Sequence, residues 1–164
     1  MSIEVLNESG YDLDLDHLAG LARFVLDRMR VHPQAELCIK AVDEATIARL
    51  NEQWMEKEGP TDVLAFPMDE LRPGLVDEEP EEGVLGDLML APSVAERQGE
   101  ATGHGLVPEL ELLTTHGILH LLGYDHAEPE EHRAMFTLQA ELLQAYGSKA
   151  TPPSADFALG NPGH

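Results

Sequence analysis

Apolar residues along this chain change their spacing several times, and each change marks an expected element. Leu15, Leu18, Ala22, Val25 and Met29 recur at three- and four-residue intervals, which predicts an amphipathic helix over 15–30. Before it, "IEVLNE" (3–8) has strand character, and after it so does "AELCIKAV" (35–42). Asp43 can then cap a helix whose apolar face is Ile47, Leu50 and Trp54. Two more strands, "TDVLAF" (61–66) and "GVLGDLML" (83–90), flank a run rich in acid, proline and glycine. A short helix can begin at Pro92, because proline suits a first helical turn.

The next segment is apolar on nearly every side. From Pro108 through "LLTTHGILHLL" the residues Leu112, Leu113, Ile118, Leu119, Leu121 and Leu122 surround the helix axis, which predicts a buried helix. Glu109 and Glu111 complement the positive end of its dipole, and Gly123 is its stop signal. A last helix starts near Pro129, presents Met135, Leu138, Leu142 and Tyr146, and ends at Gly147. The tail 148–164 lacks periodicity and is expected to be disordered.

A chain of 164 residues with 43% hydrophobic content can close one core, so one domain over 1–147 is expected. "MSIEVLNESG" has neither a basic start nor an apolar h-region, and no apolar run reaches membrane length, so the expectation is a cytoplasmic protein without a membrane partner. The single cysteine, Cys38, cannot form an internal disulfide and reads as a small buried hydrophobe. Charge is the awkward feature: 31 acidic against 10 basic residues give a formal net charge of −21. Such a field repels nucleic acid at long range. Much of the acid sits in "MDELRPGLVDEEPEEG" (68–83), which reads as a solvated loop.

Chemistry concentrates in "HGILHLLGYDH" (116–126), which holds His116, His120 and His126. Residues four apart on a helix share a face, so His116 and His120 can aim two ring nitrogens at one ion. A left-handed Gly123 would turn the chain and return His126 as a third ligand. Three neutral nitrogens suit Zn2+ and leave a fourth position open, although nickel or another divalent ion would also be accommodated. The other histidines carry no such signal. His17 and His132 lie on predicted helices amid polar residues, His32 precedes a proline, His104 sits between glycines, and His164 ends the tail.

The spacing reproduces the H-x-x-x-H-x-x-G-x-x-H frame of the metzincin proteases, but Gly117 stands where those enzymes place their general-base glutamate. Metal-assisted hydrolysis is therefore indicated, without specifying a peptide as the substrate. The catalytic acid or base stays unassigned. Asp125 can orient a ligand imidazole, accept a proton, or bond the turn backbone; Asp87 supports a ligand if it points inward and does nothing special if outward. Thr114 and Thr115 can each bond the preceding helical turn.

The same stretch resembles the signature H-G-x-L-H-L-x-G-Y-D-H of the YbeY family, bacterial ribosomal-RNA maturation factors that are single-strand endoribonucleases with a bound zinc. "LNEQWMEKEGPTDVLAFP" (50–67) and "LGDLML" (85–90) are similar to two further blocks of that family, so the resemblance spans roughly residues 1 to 146. It implies an α+β domain with a small mixed β-sheet packed with helices and a zincin-like metal-binding helix. It implies one Zn2+ held by His116, His120 and His126, an RNA substrate in the 16S rRNA precursor, and partners in the small ribosomal subunit and its assembly proteins, with no role on DNA. Its functions would be 16S rRNA 3′-end maturation and ribosome quality control. One position departs from the family: Met55 stands where many members carry an arginine, so the chain must recruit another cation, such as Arg49 or Lys57, or be weaker on RNA. Two other readings of the residues stay open, a metal-dependent hydrolase of another substrate and a non-catalytic ribosome-assembly factor with a structural metal.

Overall fold

The computed structural model describes residues 2–32, 34–69, 83–124 and 128–150. Strands β1 (Ser2–Asn7), β2 (Glu36–Ala41), β3 (Val63–Pro67) and β4 (Val84–Leu90) form one sheet in the order β1-β2-β4-β3. The first, second and fourth are mutually parallel neighbours, and β3 runs antiparallel to β4. Parallel neighbours require a crossover, and α1 (Leu15–Arg28) supplies it between β1 and β2. Helix α2 (Glu44–Met55) leads into β3, while α3 (Pro92–Thr102), α4 (Leu106–Leu121) and α5 (Pro129–Tyr146) follow the sheet. The result is a small α+β domain with a mixed sheet. Among the described residues no helix is long and apolar enough to cross a membrane.

Strand pleating divides the apolar residues between two faces. Leu37 and Ile39 of β2 and Leu88 and Leu90 of β4 are buried on the face that receives α1 and α4. Leu64 and the half-buried Phe66 and Met89 point the other way, where they meet Val42, Ile47 and Val94 in a smaller cluster under α2. Cys38 also belongs to that second face and is half-buried, which corrects the expectation of a buried thiol. Desolvation, followed by the charges of Asp87 and Glu4, pushes its thiol above the ordinary cysteine range, so it is a poor nucleophile.

Element ends follow local chemistry. The Asp43 carboxylate accepts from the Thr46 amide at 2.7 Å and caps α2, and hydrogen bonds from the Thr46 side chain and backbone hold its carboxyl below the ordinary range. Pro92 and Pro129 open α3 and α5, and Gly147 closes α5. Helix α4 begins two residues before the expected Pro108. That proline fits as the third helical residue, because its missing N–H would have no intrahelical partner there.

Three further expectations need correction. Trp54 is 61% exposed, because α2 is short and its buried face ends with Ile47 and Asn51. The acidic segment does not leave the sheet at 68: the Met68 and Asp69 amides donate to Leu85 and Val84, which extends the β3–β4 ladder, and residues 70–82 lie outside the described ones. The expected tail is anchored at its start, since the Ser148 amide donates to the Leu143 carbonyl and its hydroxyl to Glu111 Oε1 at 2.8 Å. Residues 151–164 lie outside the described ones.

The central packing event is the approach of α4 to the sheet at Gly117. A Cβ on Gly117 would fall 2.7 Å from Leu88 Cδ2 and 3.4 Å from Val63 Cγ2. A larger residue here would force the fully buried Leu88 side chain to shift. Position 117 therefore faces the sheet, which is the physical reason that the metzincin glutamate has no counterpart here. One turn earlier lies Thr114, whose hydroxyl is buried and has no hydrogen-bond partner among the described residues. Thr115, in contrast, donates to the Glu111 carbonyl at 2.9 Å.

Two stability outcomes follow from this contact. Gly117→Val forces two methyl groups against Leu88 and Val63 and is expected to lower unfolding free energy by about 2 kcal/mol, measured by urea titration; an unchanged midpoint would refute the packing argument. Thr114→Val removes a hydroxyl whose burial is uncompensated and is expected to raise stability by about 1 kcal/mol. A loss of stability in that variant would mean the hydroxyl is satisfied.

Candidate functional site

His116 and His120 lie on one side of α4, one turn apart, with their Nε2 atoms 3.1 Å from each other and their rings nearly perpendicular at 80°. His116 is buried at 4% exposure, whereas His120 is half-buried. Because Gly117 faces the sheet, the preceding residue, about 100° away around the axis, faces toward α5. There the His116 Nδ1 meets Gln139 Oε1 at 2.8 Å, and the His116 ring lies 5.6 Å from that of Phe136. Two imidazole nitrogens facing each other at this distance can share either a proton or a cation.

The turn expected after the helix is present. Gly123 adopts φ +98°, its amide donates to the His120 carbonyl, and the Tyr124 amide donates to the Leu119 carbonyl. This is the two-bond termination that a left-handed residue allows, and it reverses the chain immediately after the histidine pair. His126 and Asp125 lie outside the described residues. Among the described residues no group of three or more His, Cys, Asp or Glu side chains could hold a metal ion.

Asp87 resolves to its outward alternative. It pairs in register with Cys38 and Phe66, one residue from the Leu88 that meets α4, and so projects from the opposite face of the sheet. Among the described residues it contacts neither His116 nor His120. Met55, the departure from the family pattern, is half-buried against the smaller apolar cluster. Arg49 is exposed and donates to Thr46 Oγ1 at 3.3 Å, and Lys57 is exposed just beyond the end of α2.

Several polar residues that the sequence left in the background are buried. His132, amid polar residues in the sequence, has no exposed area and lies against Phe136 with ring centroids 4.4 Å apart. It occupies the inward stripe of α5 with Met135, Phe136 and Gln139. The His104 side chain is 4% exposed, and its Nε2 lies 2.7 Å from Glu109 Oε1 at the start of α4. His17 Nε2 lies 2.8 Å from Glu111 Oε2, whose second oxygen accepts from Ser148. Glu109 and Glu111 thus do more than complement a dipole: both are buried and each is matched to a histidine. Gln139, 1% exposed, is the contact to the site that sequence reading missed. Its only signal was an amide at a position where the spacing from Met135 and Phe136 to Leu142 and Leu143 calls for an apolar residue.

Known proteins match this architecture closely. A family model described as Endoribonuclease YbeY matches residues 4–147. A Nocardioides sp. protein named Endoribonuclease YbeY is 78% identical over 149 residues, covering 91% of this chain and 100% of its own length. One of the same name from Thermobifida fusca is 59% identical over 146 residues, covering 89% of this chain and 94% of its own. Among solved structures, the solution structure of TM1509 from Thermotoga maritima is similar with a TM-score of 0.61 at 26% identity, covering 88% of this chain and 89% of that one. With a match that runs from β1 to the cap of α5, and relatives alike over nearly their full lengths, the chain belongs to the YbeY endoribonuclease family.

Proposed function

We propose that this chain is a single-strand-specific, metal-dependent endoribonuclease that acts in 16S rRNA 3′-end maturation and ribosome quality control, in the cytoplasm, with the small ribosomal subunit and its assembly proteins as partners. Residues 1–147 form its catalytic domain. The observation that carries this reading is the convergence of His116 Nε2 and His120 Nε2 to 3.1 Å on a helix of a chain in this family. Zinc–nitrogen bonds of about 2.0–2.1 Å in a tetrahedral site put neighbouring nitrogens about 3.3–3.4 Å apart, so the pair is close to the separation two ligands need. The two imidazoles suit one divalent ion, Zn2+ first, and His126, which lies outside the described residues, is the proposed third ligand.

A bound ion would supply Lewis acidity toward a phosphodiester. The chain's own contribution is positional. Helix α4, buried from Glu109 to Leu119, fixes the two rings on one side of its axis. Arg49 and Lys57, both exposed, are the candidates the sequence offers to hold phosphate in place of the family arginine, although α2, which carries Arg49, packs on the sheet face opposite α4. Against a formal charge of −21, such contacts act only at short range, within about a Debye length of the RNA. The nucleophile is either water or the RNA's own 2′-hydroxyl.

The net charge also favours a second reading, a metal-dependent hydrolase of a substrate other than RNA. Cleavage assays at stated salt separate the two.

His116→Ala is expected to lower single-stranded RNA cleavage by about 100-fold or more and to reduce bound metal on elemental analysis, while circular dichroism retains the helical signal. A folded, metal-depleted variant that cuts RNA at the wild-type rate would end the metal-centred reading; one that still supports ribosome maturation without cutting would favour a pure assembly role. Product ends identify the nucleophile: a 2′,3′-cyclic phosphate indicates internal attack, and a plain hydrolytic end indicates water. Cleavage should also fall steeply with added salt if Arg49 and Lys57 hold phosphate, and a flat salt dependence would count against them.

A further inference from the structure

Gln139 stands out as an amide at 1% exposure in the apolar stripe of α5, between Phe136 and Leu142. Burying an amide without a hydrogen bond costs roughly 2 kcal/mol or more, so its placement needs a use. Its Oε1 lies 2.8 Å from His116 Nδ1. With Oε1 rather than the amide nitrogen turned toward the ring, the contact is satisfied when Nδ1 carries the ring proton. In a neutral imidazole the lone pair is then on Nε2. That lone pair faces His120 Nε2, 3.1 Å away. Phe136, 5.6 Å from the His116 ring, closes one side against rotation of that ring.

We propose that Gln139 is a positioning residue: it fixes the tautomer and aim of His116, so that the Nε2 lone pair is presented toward His120 before any ion or substrate arrives. Preorganisation of this kind removes the need to move a proton within a buried ring when an ion binds. Its neutrality has a second consequence, which rests on the endoribonuclease reading above. A carboxylate in the same place would hold Nδ1–H equally well but would add a negative charge beside the centre of a chain already at −21. The amide supplies the acceptor without that charge and spares the approaching phosphate an extra repulsion.

The test uses the full-length protein and three readouts. Nitrogen-detected NMR of the histidine rings in metal-free wild type should show His116 protonated on Nδ1. Gln139→Met, similar in volume but without an acceptor, should lose that signature, and Gln139→Glu should restore it. Zn2+ affinity, read by competition with a chromophoric chelator, should fall about 10- to 100-fold in Gln139→Met and recover in Gln139→Glu. The KM for a single-stranded oligoribonucleotide should rise about fivefold in Gln139→Glu while its metal affinity holds. A wild-type His116 protonated on Nε2, or an unchanged tautomer in Gln139→Met, overturns the proposal. Should Gln139→Met fail to fold, Gln139→Asn shortens the reach by one methylene and is expected to lose the same NMR signature. If the tautomer responds as stated but the wild type cuts no RNA, the positioning role stands and the endoribonuclease reading falls. If RNA is cut and the tautomer ignores position 139, the reverse holds.

Discussion

One close contact orders the rest of this molecule: the passage of α4 over the sheet at Gly117, where Leu88 and Val63 occupy the space a side chain would need. Because that residue is pressed against the strands, it marks the side of the helix that lies closest to the sheet. His116 and, a turn later, His120 are thereby directed away from the sheet and toward α5. A helix buried on nearly every side would otherwise have little reason to prefer one rotation, since apolar residues surround it and any face could pack. Glycine breaks that degeneracy by contributing no side chain at all.

The same logic explains why the chain can share a spacing with zinc proteases while lacking their base. A helical residue cannot both touch a sheet and reach into a site on the other side. The protease arrangement spends the position after the first histidine on chemistry; this family member spends it on packing. What surrounds the histidine pair is then contributed by α5, whose inward stripe mixes Phe136 with two polar residues, His132 and Gln139.

The framework was largely legible in the chain. Periodicity placed α1, α2 and α5 to within a residue or two, and the strands with them, because their one-sided burial leaves a clean pattern of apolar positions. The histidine pair was legible for a different reason, since a four-residue interval on any helix brings two side chains together. Polar residues inside the protein were not legible. His132 and Gln139 look like surface residues from their neighbours in sequence, and only the packing of α5 on α4 shows that they are enclosed. His104 between two glycines reads as loop, yet the turn from α3 into α4 folds it onto Glu109. Trp54 failed in the opposite sense, because its helix is too short and too loosely covered to bury a large ring at its end. Long-range packing decides His132 and Gln139, and a local window does not contain it.

Glu111 gives the fold a mechanical property that its length would not suggest. One of its oxygens is engaged by His17 from α1 and the other by Ser148, just past the end of α5, so a single enclosed carboxylate ties three helices at the end of the domain away from the histidine pair. Sliding of α5 along its neighbour would strand that carboxylate without one of its donors. A chain cut at Gly147 and one cut at Ala150 differ by three residues, yet only the longer keeps the rivet that sets the depth of α5, and with it the height at which Gln139 meets the ring opposite.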